Sequence, residues 1–151
     1  MTSNSSAGAA LILQGIGNRP TADIDASYAD PTTVNAIVTE MAAEYDLAPD
    51  WLNSNAAAFV PDNAAWVTLE QTDGLTIQAA DTVTLLAMKI AAERDKDTLD
   101  IARLLRRLNI TNPDDAIDLG DHSIPLAAGR DNYLIVVDDA LDAAATLEPN
   151  D

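Results

Sequence analysis

The apolar residues of this chain follow two different periods in adjacent segments, and that change constrains its fold more than any other feature. Residues 22–28, with the sequence ADIDASY, alternate apolar and polar side chains, and a period of two is typical of a strand. From Val34 to Tyr45, apolar side chains recur at three- and four-residue spacings, as they do along one face of a helix. The succession predicts an α/β (α+β) fold, a small mixed sheet flanked by helices with a helical C-terminal part.

Local start and turn signals extend this pattern along the chain. Asp30 directly before Pro31 is typical of an N-cap followed by the first helical position, and predicts a helix over about residues 31–46. The Thr-Asp-Gly signal at residues 72–74 predicts a turn between two short strands. Further helices are expected over residues 8–15, from about residue 49, and over 83–94, 99–108, 111–120 and 131–147.

These elements predict a single domain, because 151 residues suffice for one core of modest size. Aromatic residues make up only 4% of the chain, so the core is expected to consist of Leu, Ile, Val and Ala. The expected parts are a flexible start (1–7), a section of sheet and helices (8–80), a helical section (81–147) and a polar tail (148–151).

Charge and cysteine content exclude several classes of function. With 25 acids against 8 Lys and Arg, the net charge is −17, which repels long nucleic acids unless a local basic patch offsets it. Six of the eight basic residues lie between residues 89 and 107 beside four acids, so that segment has a net charge of +2 and could form such a patch. The absence of cysteine excludes disulfides, thiolate zinc sites and a cysteine nucleophile.

The sequence also predicts a cytoplasmic protein. No run of eighteen apolar residues exists, so no membrane span is expected. The N-terminal residues lack the basic region of a secretory signal.

Asp23 and Asp25 are the first candidates for chemistry. A strand would place both carboxylates on one face, roughly 7 Å apart, where they repel each other unless a positive charge lies nearby. Mg²⁺ is the usual cation where phosphates also bind, because it takes carboxylate and phosphate oxygens as ligands. The alternative is a solvated strand whose polar residues face outward.

The segment around these aspartates resembles the opening of nucleotidyltransferase-fold proteins of the polymerase-β superfamily. Residues 7–29 are most similar to small bacterial AbiEii-like, toxin-related nucleotidyltransferases, whose pattern is a glycine turn and helix, a loop with Arg and Thr, and a strand with Asp-x-Asp. The matching residues are Gly8, Arg19, Thr21, Asp23 and Asp25. The resemblance implies that the two aspartates hold Mg²⁺ and that the others contact a nucleoside triphosphate.

A second segment, residues 82–108, resembles the family's leucine-rich helix with a lysine, followed by Arg-Asp and a helix with Asp-Ile. Lys89 and Asp100 stand at those positions, and the resemblance implies that Lys89 contacts the nucleotide phosphates. Physical reasoning leaves a second interpretation open, in which Lys89 is a partly buried lysine paired with a nearby aspartate. Asp97 is expected to cap the following helix.

Two parts of the family pattern have no clear equivalent. Ala7-Gly8 stands where the family has Gly-Gly or Gly-Ser, and only six residues precede it, too few for a well-formed first strand. The third carboxylate, on a later strand, has only Glu70 as a candidate by position.

Two functions therefore remain as hypotheses. One is a Mg²⁺-dependent transferase of the toxin-module type that passes a nucleoside monophosphate from an NTP to an unknown acceptor. The other is a non-catalytic acidic interaction protein on the same fold, which binds a basic partner as an antitoxin or DNA mimic would.

Overall fold

The computed structural model describes residues 2–6, 8–17, 20–21, 23–55, 60–121 and 130–148. It is a mixed structure of helices and one five-stranded sheet. The strands are β1 (Thr2–Ser6), β2 (Ile24–Tyr28), β3 (Leu52–Asn53), β4 (Trp66–Gln71) and β5 (Thr76–Ala80). The helices are α1 (Gly8–Leu13), α2 (Pro31–Tyr45), α3 (Thr82–Ala92), α4 (Thr98–Leu108), α5 (Pro113–Asp121) and α6 (Arg130–Thr146). The mixed fold class is thereby confirmed.

The sheet has the strand order β3-β2-β1-β5-β4. The central strand, β1, runs antiparallel to β2 and parallel to β5, while β4 and β5 form an antiparallel hairpin. The predicted hairpin around the Thr-Asp-Gly turn is confirmed. The prediction of a flexible start and no first strand is wrong for residues 2–6. These residues have no alternating apolar pattern, and β1 forms because its backbone pairs with strands on both sides.

Local capping signals explain where two helices begin. Asp30 accepts a hydrogen bond from the backbone N–H of Thr33 at 3.1 Å, and Asp81 accepts one from the N–H of Thr84 at 2.8 Å. Each bond satisfies an amide that has no partner inside the first turn of its helix. The predicted starts of α2 and α3 are thus confirmed.

The helix expected from about residue 49 does not begin there, and residues 56–59 of the expected segment lie outside the described residues. Residues 49–51 form a turn and a bend, and residues 52–53 form β3 at the edge of the sheet. The backbone carbonyl of Trp51 accepts the N–H of Ile24 at 2.7 Å, and the Trp51 indole N–H donates to the carbonyl of Val38 at 3.2 Å. Contacts with β2 and α2 therefore hold this segment extended.

The core lies where α3, α4, α5 and α6 pack together and meet α1 and the end of β5. Leu85, Leu86, Ile101, Leu104 and Leu105 are fully buried there, and Tyr133 is an aromatic residue among these aliphatic side chains. The aliphatic core matches the expectation from composition. None of the described helices is both long enough and apolar enough to span a membrane.

Candidate functional site

The register of the central strands brings Asp25 to the start of α1. In the antiparallel pair of β1 and β2, Ser6 lies opposite Asp25, and α1 begins two residues later at Gly8. Asp23, two residues before Asp25, precedes the first residue of β2. Residues 7–29, the first segment of the family resemblance, are called the first motif. Its two parts, the start of α1 and the aspartates at the start of β2, are adjacent in space because β1 pairs with β2.

A glycine-dependent turn ends α1 and directs the chain back toward the helical section. Gly15 has φ +67°, its N–H donates to the carbonyl of Ile12 at 3.0 Å, and the next N–H, of Ile16, donates to Leu11 at 2.9 Å. This pair of bonds is the Schellman arrangement, which favours glycine at the left-handed position. Beyond the turn, a Cβ added to Gly17 would lie 3.9 Å from a carboxylate oxygen of Asp100.

A cleft of about 210 Å³ opens between these segments. Its wall includes the apolar residues Leu11, Ile12 and Pro20. Its other lining residues are polar, charged or glycine: Gly8, Gly17, Thr21, Asp23, Lys96 and Asp100. Four predicted site residues, Gly8, Thr21, Asp23 and Asp100, thus share one cleft although Asp100 is far from the others in sequence.

Thr21 connects the two sides of the first motif. Its hydroxyl donates to the backbone carbonyl of Asp23 at 2.8 Å and lies 3.3 Å from the Asp23 carboxylate. A Cβ added to Gly8 would lie 3.7 Å from the same hydroxyl oxygen. Thr21 therefore holds the loop before β2 against the start of α1 and limits how far Asp23 can turn away.

Asp25 lies on β2, two residues beyond Asp23, where it is half-buried and is not among the described residues that line the cleft. Burial raises the pKa of its carboxyl group, and the neighbouring Asp23 carboxylate raises that pKa further. The charges of Arg94 and Lys96 act in the opposite direction and lower the pKa of Asp25. The charges that act on Asp25 therefore come from its neighbour Asp23 and from Arg94 and Lys96 just before α4.

Lys89 is held in a buried ion network rather than on the wall of the cleft. Its side chain is 4% exposed, and its ammonium donates to Asp97 at 2.8 Å and to Asp100 at 2.9 Å. The other carboxylate oxygen of Asp100 lies 3.7 Å from Arg103. The interpretation of Lys89 as a lysine paired with aspartate is the one that matches this geometry.

The network also corrects the expectation for Asp97. Asp97 occupies the N-cap position of α4, but its side chain makes no capping hydrogen bond. Its carboxylate binds Lys89, eight residues earlier in the chain. A buried ammonium needs a carboxylate partner more than an exposed helix end needs a cap, so the ion pair prevails over the local role.

Glu70 lies far from the aspartate pair. It is an exposed residue of β4, and β1 and β5 separate β4 from β2. Three strand spacings amount to roughly 14 Å, so Glu70 does not join Asp23 and Asp25 around one ion. Arg19, which the resemblance implied in nucleotide binding, lies outside the described residues.

Asp23 and Asp25 are the two carboxylates that could bind a metal ion here. Within the described ranges, no three His, Cys, Asp or Glu side chains form a metal-binding group. Asp23 and Asp25 nevertheless fit Mg²⁺, which commonly takes one or two carboxylates and completes its shell with water and substrate phosphates. Burial raises the pKa of Asp25 most and the Asp23 carboxylate raises it further, and a bound cation would favour the ionised form of both groups.

Sequence reasoning missed Lys96 as a residue of the cleft. Lys89 and Lys96 are the two lysines of the chain, and the resemblance directed attention to Lys89. A usable signal was present, because Lys96 lies between two predicted helices, where a charged side chain reaches solvent more readily than from a helix interior. Comparisons with protein-family models, with curated proteins and with solved structures gave no match to this chain.

Proposed function

We propose that this protein is a nucleotidyltransferase-like protein that binds a nucleoside triphosphate with Mg²⁺ in the cleft beside α1. One observation carries the proposal: both sequence segments that resemble the family contribute to the same cleft. Gly8, Thr21 and Asp23 come from the first segment and Asp100 comes from the second.

The chemistry of the cleft suggests a division of roles. Asp23 and Asp25 would hold Mg²⁺, and the hydrogen bond from the Thr21 hydroxyl to the backbone carbonyl of Asp23 holds the loop that carries Asp23. Pockets that enclose a whole drug-sized ligand have volumes of roughly 300–1,000 Å³. A cleft of about 210 Å³ would therefore enclose phosphate groups and leave the base and sugar near the surface.

The proposed reaction is transfer of a nucleoside monophosphate to a hydroxyl of an acceptor, as in a toxin-type module. The acceptor oxygen attacks the α-phosphorus in line, the bond from that phosphorus to the leaving pyrophosphate breaks, and the hydroxyl proton is released to water. Mg²⁺, when bound, would offset the negative charge on the phosphate oxygens. The chain itself contributes position, through Asp25 on β2, Asp23 directly before β2, and Thr21, which holds the backbone at Asp23.

Calorimetric titration with each of the four nucleoside triphosphates, with and without Mg²⁺, tests this proposal. We expect micromolar binding that requires Mg²⁺ and is lost in Asp23→Asn/Asp25→Asn. The matched control is Asp138→Asn/Asp139→Asn, which removes two exposed carboxylates from α6 and should bind as the wild type does. Absence of binding by the wild-type protein would overturn the proposal.

A second candidate is a non-catalytic acidic interaction protein on the same fold. The distance of Glu70 from the aspartate pair favours it, because it leaves two carboxylates where the family resemblance implies three. The net charge of −17 would attract a partner with a basic surface. This candidate predicts no nucleotide binding, together with salt-sensitive binding of a basic protein such as the product of an adjacent gene. Co-expression followed by size-exclusion chromatography at low and high salt would test it.

A further inference from the structure

We propose that Lys96 is the residue that binds the phosphates of a Mg²⁺-complexed triphosphate in this chain, the role that the family resemblance implies for Lys89. The inference rests on the proposed function, since it concerns the same cleft. It follows from three observations: where Lys89 is held, how the turn around Lys96 is built, and which charges surround the cleft.

The surroundings of Lys89 tie it to a structural role. Its ammonium is bound to two carboxylates that are themselves buried, those of Asp97 and Asp100. If Lys89 turned toward a phosphate, those carboxylates would lose a cation in a region that excludes water, which is strongly unfavourable. Lys89 is also absent from the described residues that line the cleft.

The turn that carries Lys96 is held at both ends. Glu93 ends α3 in a left-handed conformation with φ 47°, and residues Asp95–Asp97 then form a single 3-10 turn. The hydroxyl of Thr98 donates to the carbonyl of Asp95 at 2.9 Å, and Asp97 is bound to Lys89. Lys96 therefore projects from a fixed backbone, with an exposed side chain that lines the cleft.

The charges around the cleft define the class of ligand. A free anion that approached Lys96 would also meet the carboxylates of Asp23 and Asp25, which would repel it. A polyphosphate that arrives with Mg²⁺ avoids this conflict, because the cation meets the carboxylates while the phosphate oxygens meet the ammonium. Lys96 and Asp23 line the same cleft, so one ligand can meet both charges.

Calorimetry with inorganic triphosphate and with ATP, both in the presence of Mg²⁺, tests the role of Lys96. In Lys96→Gln we expect the affinity for both ligands to fall about tenfold or more, because a hydrogen bond to a charged group is lost. Lys96→Arg should recover part of the affinity, since it restores the positive charge. The matched control is Arg107→Gln, which removes an exposed positive charge at the far end of α4 and should change affinity by no more than about twofold.

The variants separate failure of this inference from failure of the proposed function. If the wild-type protein binds neither ligand, the proposed function itself is overturned. If binding is lost in Asp23→Asn/Asp25→Asn but unchanged in Lys96→Gln, the function stands and the role of Lys96 is overturned. An equal loss in Lys96→Gln and Arg107→Gln would also overturn it, because the effect would then be one of net charge. Unchanged thermal unfolding of Lys96→Gln verifies that the variant is folded.

Discussion

At the scale of single residues, the chain places its charges in two contrasting environments. Lys89 is almost completely buried and is paired with two aspartates, whereas Lys96, seven positions later, is exposed at a cleft. The same side-chain chemistry therefore serves the core at one position and the surface at the other. Burial decides between these roles, because a buried ammonium requires carboxylate partners, whereas a ligand can reach an exposed one from solvent.

The Lys89 network leads to a prediction about stability. In Lys89→Met the carboxylates of Asp97 and Asp100 remain buried without their shared ammonium, so the free energy of unfolding should fall by about 3–5 kcal/mol. Chemical denaturation of the two proteins measures the difference. Arg107→Met serves as the control, because Arg107 is exposed and such a substitution should change stability by no more than about 0.5 kcal/mol.

A double-mutant cycle sharpens this test. If Lys89 acts through Asp97, introducing Lys89→Met into an Asp97→Asn background should cost less than introducing it into the wild-type protein. Equal costs in both backgrounds would show that the contact is not energetically coupled, and would contradict the network.

Asp25 leads to a prediction about pH. Burial and the Asp23 carboxylate raise its pKa above the ordinary value of 3.8, so the folded protein binds this proton more tightly than the unfolded chain does. Stability therefore falls as the pH rises from about 3.8 through the raised pKa, and at neutral pH the ionised group opposes folding. Asp25→Asn should raise the free energy of unfolding at pH 7 and flatten this part of the pH dependence.

Denaturation curves recorded between pH 3 and pH 7 provide the measurement. This pH range begins below the ordinary pKa of 3.8 and extends upward because the pKa of Asp25 is raised. Asp138→Asn on α6 removes one exposed carboxylate elsewhere and controls for the change in net charge. A lower stability of Asp25→Asn than of the wild type at pH 7 would contradict the assignment of unfavourable charge to this position.

At the scale of elements, the turn after α1 brings the chain from α1 to the side of Asp100 in α4. The left-handed Gly15 ends the helix, and Gly17 then passes beside Asp100. A Cβ at Gly15 would have open space around it, so any cost of a side chain there comes from the backbone conformation alone. The turn is thus a place where conformation can be tested without disturbing packing.

We expect Gly15→Ala to lower the free energy of unfolding by about 1–2 kcal/mol, the cost of a left-handed residue with a Cβ. Gly74→Ala is the matched control, because Gly74 also has open space around it but does not adopt a positive φ. Thermal or chemical unfolding of both variants gives the comparison. Similar stabilities for the two alanine variants would contradict the role of Gly15 as the left-handed residue that ends α1.

At the scale of the whole molecule, the sheet and the helical section meet at the cleft. The segment that leads into β2 supplies Asp23, while the helical section supplies Lys96 from the turn before α4 and Asp100 from α4. The core beneath this junction is a continuous cluster that includes residues of α1, β5 and α3 to α6. Because the two sections share one core, the position of the cleft depends on the whole described structure rather than on either half.

The features that local sequence determined are those whose physical cause lies within a few residues. Asp30 and Asp81 cap helices because their carboxylates reach an amide three residues later, and Thr-Asp-Gly joins two strands because a turn is a local conformation. The alternation around Ile24 likewise predicted β2, since a strand's faces follow directly from its pattern. The proximity of Gly8, Thr21 and Asp23 could also be predicted from the sequence. Gly8 begins α1, and Thr21 and Asp23 lie just before β2, the next described element along the chain.

Tertiary structure decided the features that depend on partners distant in sequence. Thr2–Ser6 has no apolar alternation and becomes the central strand because β2 and β5 pair with it. Residues 52–53 pair with β2 instead of continuing a helix, and Asp97 binds Lys89 instead of capping α4. The strand order separates Glu70 from the aspartates and the turn before α4 brings Lys96 to them, because both distances are set by how separate segments pack and not by their spacing along the chain.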